Sequence, residues 1–83
     1  MKTFKDLKFE THPCEKTGVY AFMKFPNGHT ISVIGCPQVK GMSPFYGDGK
    51  TTFEIWCSDC DDVIGWQTPK EITERMKSLQ ERH

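Results

Sequence analysis

The chain has 83 residues, in which 11 lysines and arginines balance 11 aspartates and glutamates. That length supports one modest hydrophobic core, excludes a second domain, and leaves room for a metal or a partner to add to stability. The even charge supplies no general drive toward nucleic acid or an anionic membrane, nor the negative field of a DNA mimic, so a partner must be read by shape and local pattern.

The opening segment, Met1 to Leu7, carries lysines with no apolar run behind them, and no stretch reaches transmembrane length; a cytosolic location is the default expectation. Leu7, Phe9 and Thr11 alternate as a short strand would, although one helical turn also fits Phe4 to Thr11, so this segment reads as an arm or edge strand.

Residues Gly18 to Gly35, GVYAFMKFPNGHTISVIG, predict a β-hairpin. Val19, Ala21, Met23 and Phe25 alternate with Tyr20, Phe22 and Lys24. Pro26, Asn27 and Gly28 then supply a type I turn closed by a bulge, with Gly28 taking the positive φ. This turn sets Phe25 opposite His29, Met23 opposite Ile31 and Ala21 opposite Val33 on one face. The other face then carries Tyr20 opposite Ile34 and Phe22 opposite Ser32, and a slip of one residue would scatter both stripes.

Cys36 to Lys50 reads as a long Gly- and Pro-rich loop holding Val39, Met42, Phe45 and Tyr46. Loops of that length are functional or docked by their own side chains. Thr51 to Cys57 is a strand with Phe53, Ile55 and Cys57 on one face and Thr52, Glu54 and Trp56 on the other; a short apolar run, Val63 to Trp66, follows. Thr68 as N-cap, Pro69 at the first helical position and Glu71 three residues after the cap announce a C-terminal helix whose apolar stripe is Ile72, Met76 and Leu79. The expected fold is α+β: an antiparallel sheet of three or four strands built on the 18–35 hairpin, with the helix across the face bearing Met23, Ile31, Val33, Phe53 and Ile55.

Few residues offer chemistry. Gly47-Asp48-Gly49-Lys50-Thr51 fails as a phosphate loop, because Pro44 stands where a glycine is required and a strand follows in place of a helix. His12, His29 and His83 have no serine or cysteine partner at a recognisable spacing, and Asp59, Asp61 and Asp62 read as a solvated turn. Cys57-Ser58-Asp59-Cys60 has metal-ligand spacing, and Cys14 and Cys36, with His12 in reserve, could complete a tetrahedral zinc site. The alternative is four buried, inert thiols. Strand order decides between them: a 51–57 strand beside the second hairpin strand carries Cys57 to the turn end, away from Cys14 and Cys36, whereas pairing with the first strand brings Cys57 to Cys14.

The Phe4 to Phe9 opening with Asp6-Leu7, the Phe25-Pro26-Asn27-Gly28 turn followed by Ser32-Val33, and Asp61-Asp62-Val63-Ile64-Gly65 leading into a Thr-initiated helix containing Met76 resemble small uncharacterised proteins of tailed bacteriophages and prophages. That resemblance brings no assigned activity and no functional residues, and it does not extend to the Cys57 to Cys60 pattern. It implies action inside an infected bacterium, on host machinery or a host-defence protein.

Three roles compete. An enzyme lacks a placed base, nucleophile or cofactor loop. A single-stranded nucleic-acid binder could stack bases on Tyr20, Phe22 and Trp56 beside Lys24, against the neutral charge. A protein-binding module, contacting a protein partner or a second copy through Tyr20, Phe22, Phe45, Tyr46 and Trp56, is the most economical expectation. Its rival is a second small core, made by the Phe4, Leu7 and Phe9 arm folding over that face with the long loop packed down on it.

Overall fold

The computed structural model describes residues 1–12, 15–36, 47 and 49–81, with the backbone alone at residues 12 and 15–17. Five antiparallel strands lie in chain order across one sheet: β1 (Glu10–His12), β2 (Glu15–Lys24), β3 (Thr30–Gly35), β4 (Phe53–Cys57) and β5 (Ile64–Gln67). One helix, α1 (Pro69–Glu81), follows. The α+β layout is as the sequence predicts, but the sheet has five strands in place of three or four.

The hairpin takes the register that its alternation dictates. Ala21 faces Val33, Met23 faces Ile31, Tyr20 faces Ile34 and Phe22 faces Ser32. Phe25 donates its N–H to the His29 carbonyl (2.8 Å), Gly28 donates to the Phe25 carbonyl (2.9 Å), and Gly28 adopts φ 93°, as a bulged type I turn requires.

Both added strands are edges with weak sequence signals. β1 is Glu-Thr-His, with no apolar alternation, and it pairs with β2 through an irregular register between Thr11 and His12. The segment before it is a single 3-10 turn at Phe4–Asp6, so the strand expected over Leu7 to Thr11 begins later, at Glu10. β5 carries a bulge: Ile64 pairs with Ile55 and Gln67 with Phe53, leaving Gly65 and Trp66 level with the single residue Glu54. Trp66 sits at φ 55°, a left-handed conformation that costs a bulky side chain on the order of 1–3 kcal/mol.

The core lies between the sheet and α1. Ala21, Ile31, Val33, Phe53, Ile55 and Cys57 from the strands meet Ile72, Met76 and Leu79 from the helix. The helix begins as its cap chemistry predicts: Glu71 donates its backbone N–H to Thr68 Oγ1 (3.3 Å), and Thr68 returns its N–H to Glu71 Oε1 (3.1 Å). The N-terminal arm closes the same side. Phe4, Phe9 and Phe53 form a ring cluster with centroids 5.3–5.5 Å apart. Phe4 also donates its N–H to Thr73 Oγ1 (3.1 Å) on the helix. Because Phe53 belongs to the helix-facing core, Phe4 and Phe9 pack on that side and not over the opposite face, while the long loop of the expected second core lies, from residue 37 to residue 46, outside the described residues.

The hairpin turn also anchors the end of the helix. Asn27 Nδ2 donates to the Leu79 carbonyl (2.8 Å), one of the last-turn acceptors that no helical N–H reaches, while Asn27 Oδ1 accepts the His29 N–H (3.1 Å). Replacing Asn27 by aspartate removes the donor and keeps the acceptor. It is expected to cost about 1 kcal/mol in denaturant unfolding; an unchanged midpoint would mean that the turn does not hold the helix.

Candidate functional site

Two features stand apart from the core: the sheet face turned away from α1, called here the outer face, and the turn that ends β4.

Strand alternation builds the outer face in rows. Phe22, Ser32 and Trp56 form one row across β2, β3 and β4. Glu10, Tyr20, Ile34 and Glu54 form the next, and Lys24 with Thr30 lies on the other side of the Phe22 row. Phe22 is 54% exposed and Trp56 43%, while Tyr20 and Ile34 are half-buried. Trp66, level with Glu54, is 51% exposed, and Val63 before it is also open to solvent. Of the residues expected to contact a partner, the structure thus places Tyr20, Phe22 and Trp56 on one face. Phe45 and Tyr46, with the rest of the long loop from residue 37 to residue 46, lie outside the described residues. Trp66 was not singled out by sequence reasoning. Its run Val63 to Trp66 is visible as apolar, but the bulge and positive φ that set it at the level of the outer row have no signature in a four-residue segment.

The cysteines divide differently from the four-cysteine expectation. Cys57 pairs with Ile31 near the hairpin turn, whereas Cys36 follows Gly35 at the far end of β3. Five residues of extended chain separate those levels, about 16 Å at a strand's rise per residue. Cys36 therefore does not join Cys57 and Cys60, because β4 lies beside the second hairpin strand; Cys14 lies outside the described residues, as do the side chain of His12 and the whole of His83. The structure instead adds Asp59. The Sγ atoms of Cys57 and Cys60 and a carboxylate oxygen of Asp59 all lie within 4.8 Å of one another.

That cluster sits on a tightly held turn. Cys60 donates its N–H to the Cys57 carbonyl (3.0 Å), and Ser58 donates its N–H to the Thr30 carbonyl (3.0 Å). Ser58 Oγ accepts the Thr30 N–H (3.1 Å) and lies 2.8 Å from His29 Nδ1, giving the imidazole a structural partner. Burial pushes the Cys57 thiol up to about 12, and the adjoining Cys60 thiol and Asp59 carboxylate add to the rise while Arg75 opposes it. Cys57 is thus a neutral thiol near pH 7 and not a nucleophile, since reactivity belongs to the thiolate.

No helix among the described residues is long and apolar enough to cross a membrane. Comparison with protein-family models, with curated proteins and with solved structures finds no match to this chain.

Proposed function

We propose that the protein is a non-enzymatic protein-binding module that works in the cytoplasm and uses its outer sheet face as the contact surface. The observation that carries this reading is the exposure of Phe22 and Trp56 in one row, flanked by half-buried Tyr20 and Ile34, on the face that neither α1 nor the N-terminal arm covers. Large aromatic side chains held on a rigid sheet lose little conformational entropy on binding and supply a disproportionate share of interface energy. Charge placement favours protein over nucleic acid. Glu10 and Glu54 lie on the row beside Phe22 and Trp56, where a phosphodiester backbone following the stacked bases would meet carboxylates, and Lys24 lies on the other side of the Phe22 row. The resemblance to phage proteins directs the search for a partner to bacterial host proteins, including those of host defence.

The test is the Phe22→Ala/Trp56→Ala double variant beside the parent. Both side chains are exposed, so the melting temperature is expected to change by no more than about 0.5 kcal/mol would produce for each. Proteins captured from bacterial lysate by the parent, or self-association seen by sedimentation, are expected to be lost in the variant. A monomeric parent whose captured set equals that of the variant would overturn the proposal, as would tight single-strand binding that the variant loses.

A further inference from the structure

The turn at the end of β4 carries a second site, independent of the outer face. We infer that Cys57, Asp59 and Cys60 form a three-ligand site for a zinc-class divalent cation, with one coordination position left open to water or to a ligand atom of another molecule. Two sulfurs and one carboxylate oxygen already lie within 4.8 Å of one another. Sulfurs sharing one tetrahedral zinc, with Zn–S near 2.3 Å, stand about 3.8 Å apart, so side-chain movements on the order of 1 Å close the site.

Rigidity is the second point. The ligand turn is tied at three places: Cys60 N–H to the Cys57 carbonyl at 3.0 Å, Ser58 N–H to the Thr30 carbonyl at 3.0 Å, and the Thr30 N–H to Ser58 Oγ at 3.1 Å. A turn held this way does not lose loop entropy when the ion enters, and the His29 contact to Ser58 Oγ at 2.8 Å supports it from the hairpin turn just before β3. Cys57 itself is fixed by the core at the end of β4.

The donor set then selects the ion. Two thiols and one carboxylate suit soft or borderline cations and exclude magnesium and calcium, which take oxygen ligands at higher number. Coordination replaces each S–H bond by an S–metal bond, and two protons pass to solvent for each ion bound. Three protein ligands leave zinc one position short of its usual four, which is the arrangement that keeps a site open.

Cobalt(II) added to the metal-free, reduced protein is the probe. Thiolate-to-cobalt charge-transfer absorption is expected on titration, to disappear when zinc is added, and to persist in the separate Cys14→Ser and Cys36→Ala variants. Cys60→Ser is expected to remove most of that absorption and Asp59→Asn to raise the cobalt concentration at its midpoint, with far-UV circular dichroism of the parent retained by both. Cys60 and Asp59 are chosen because Cys57 is buried and its replacement could unfold the chain. Absence of a charge-transfer band in the folded, reduced parent overturns the inference, and so does a band that survives Cys60→Ser unchanged or vanishes in the Cys14 or Cys36 variant.

Discussion

Replacing Met76 by alanine is expected to lower the free energy of unfolding by about 2–5 kcal/mol, with Ile72→Ala costing a similar amount. Both side chains are completely buried, four positions apart on α1, with Leu79 the third buried residue of the same stripe. They close the core over Ile31, Val33, Ile55 and Cys57, each of which is itself 1% exposed or less. Truncation removes apolar contacts and leaves a cavity that a sheet on one side and a helix on the other cannot collapse to fill. A chain of this length has a total stability of about 4–12 kcal/mol, so either substitution takes a large share of it. Denaturant unfolding measures the loss, and Lys77→Ala on the exposed side of the helix is the matched control, expected within about 0.5 kcal/mol of the parent. If Met76→Ala falls within that same range, the helix does not carry the core.

The parts of this structure that were legible in the sequence are those whose physics is local. The hairpin register follows from alternation on both sides of Pro26-Asn27-Gly28, because only one pairing keeps Ala21, Met23, Ile31 and Val33 on one face. The helix start follows from Thr68 and Glu71, whose side chains and backbone donors satisfy each other within one turn. What was not legible depends on partners distant in sequence. β1 is polar and owes its existence to unpaired backbone on β2, and of the Leu7 to Thr11 alternation that suggested a strand only the end, from Glu10 on, pairs, after a 3-10 turn at Phe4–Asp6 has delivered Phe4 to Phe53. The candidate site divides in the same way. Tyr20, Phe22 and Trp56 fall on one face because period two and register are enough to place them. The fate of the cysteines turned on strand order, which no local pattern encodes: β4 beside β3 sends Cys57 to the turn end, where it meets Asp59 and Cys60 and leaves Cys36 behind. Asp59 looked like one of several solvated acids, and only the geometry of the turn separates it from Asp61 and Asp62.

Gly47→Ala is expected to cost about 1–3 kcal/mol, through overpacking and not through loss of any contact. A Cβ at Gly47 would stand 2.5 Å from Phe53 Cα, 2.6 Å from its carbonyl carbon and 2.7 Å from its nitrogen. All three are backbone atoms, so no rotamer change relieves the clash; the two chain segments must separate. Separation has consequences on both sides. The Gly47 carbonyl accepts the Cys36 N–H at 3.1 Å, which ties the end of β3 to this segment, and Phe53 holds the ring cluster with Phe4 and Phe9. Gly35→Ala presses on the same join from the other strand, with its Cβ 2.5 Å from Gly49 Cα. At Gly28 the situation differs: nothing lies within 4 Å of an added Cβ, and Gly28→Ala is penalised by its φ of 93° alone. Equilibrium unfolding of the single variants and of the Gly35→Ala/Gly47→Ala pair separates these causes. If both alanines push one segment away from the β3 and β4 backbones, the pair is expected to cost less than the sum of the singles, since the displacement forced by one makes room for the other. Full additivity would mean two independent clashes, and a Gly47→Ala protein as stable as the parent would mean that the close approach at Phe53 does not exist.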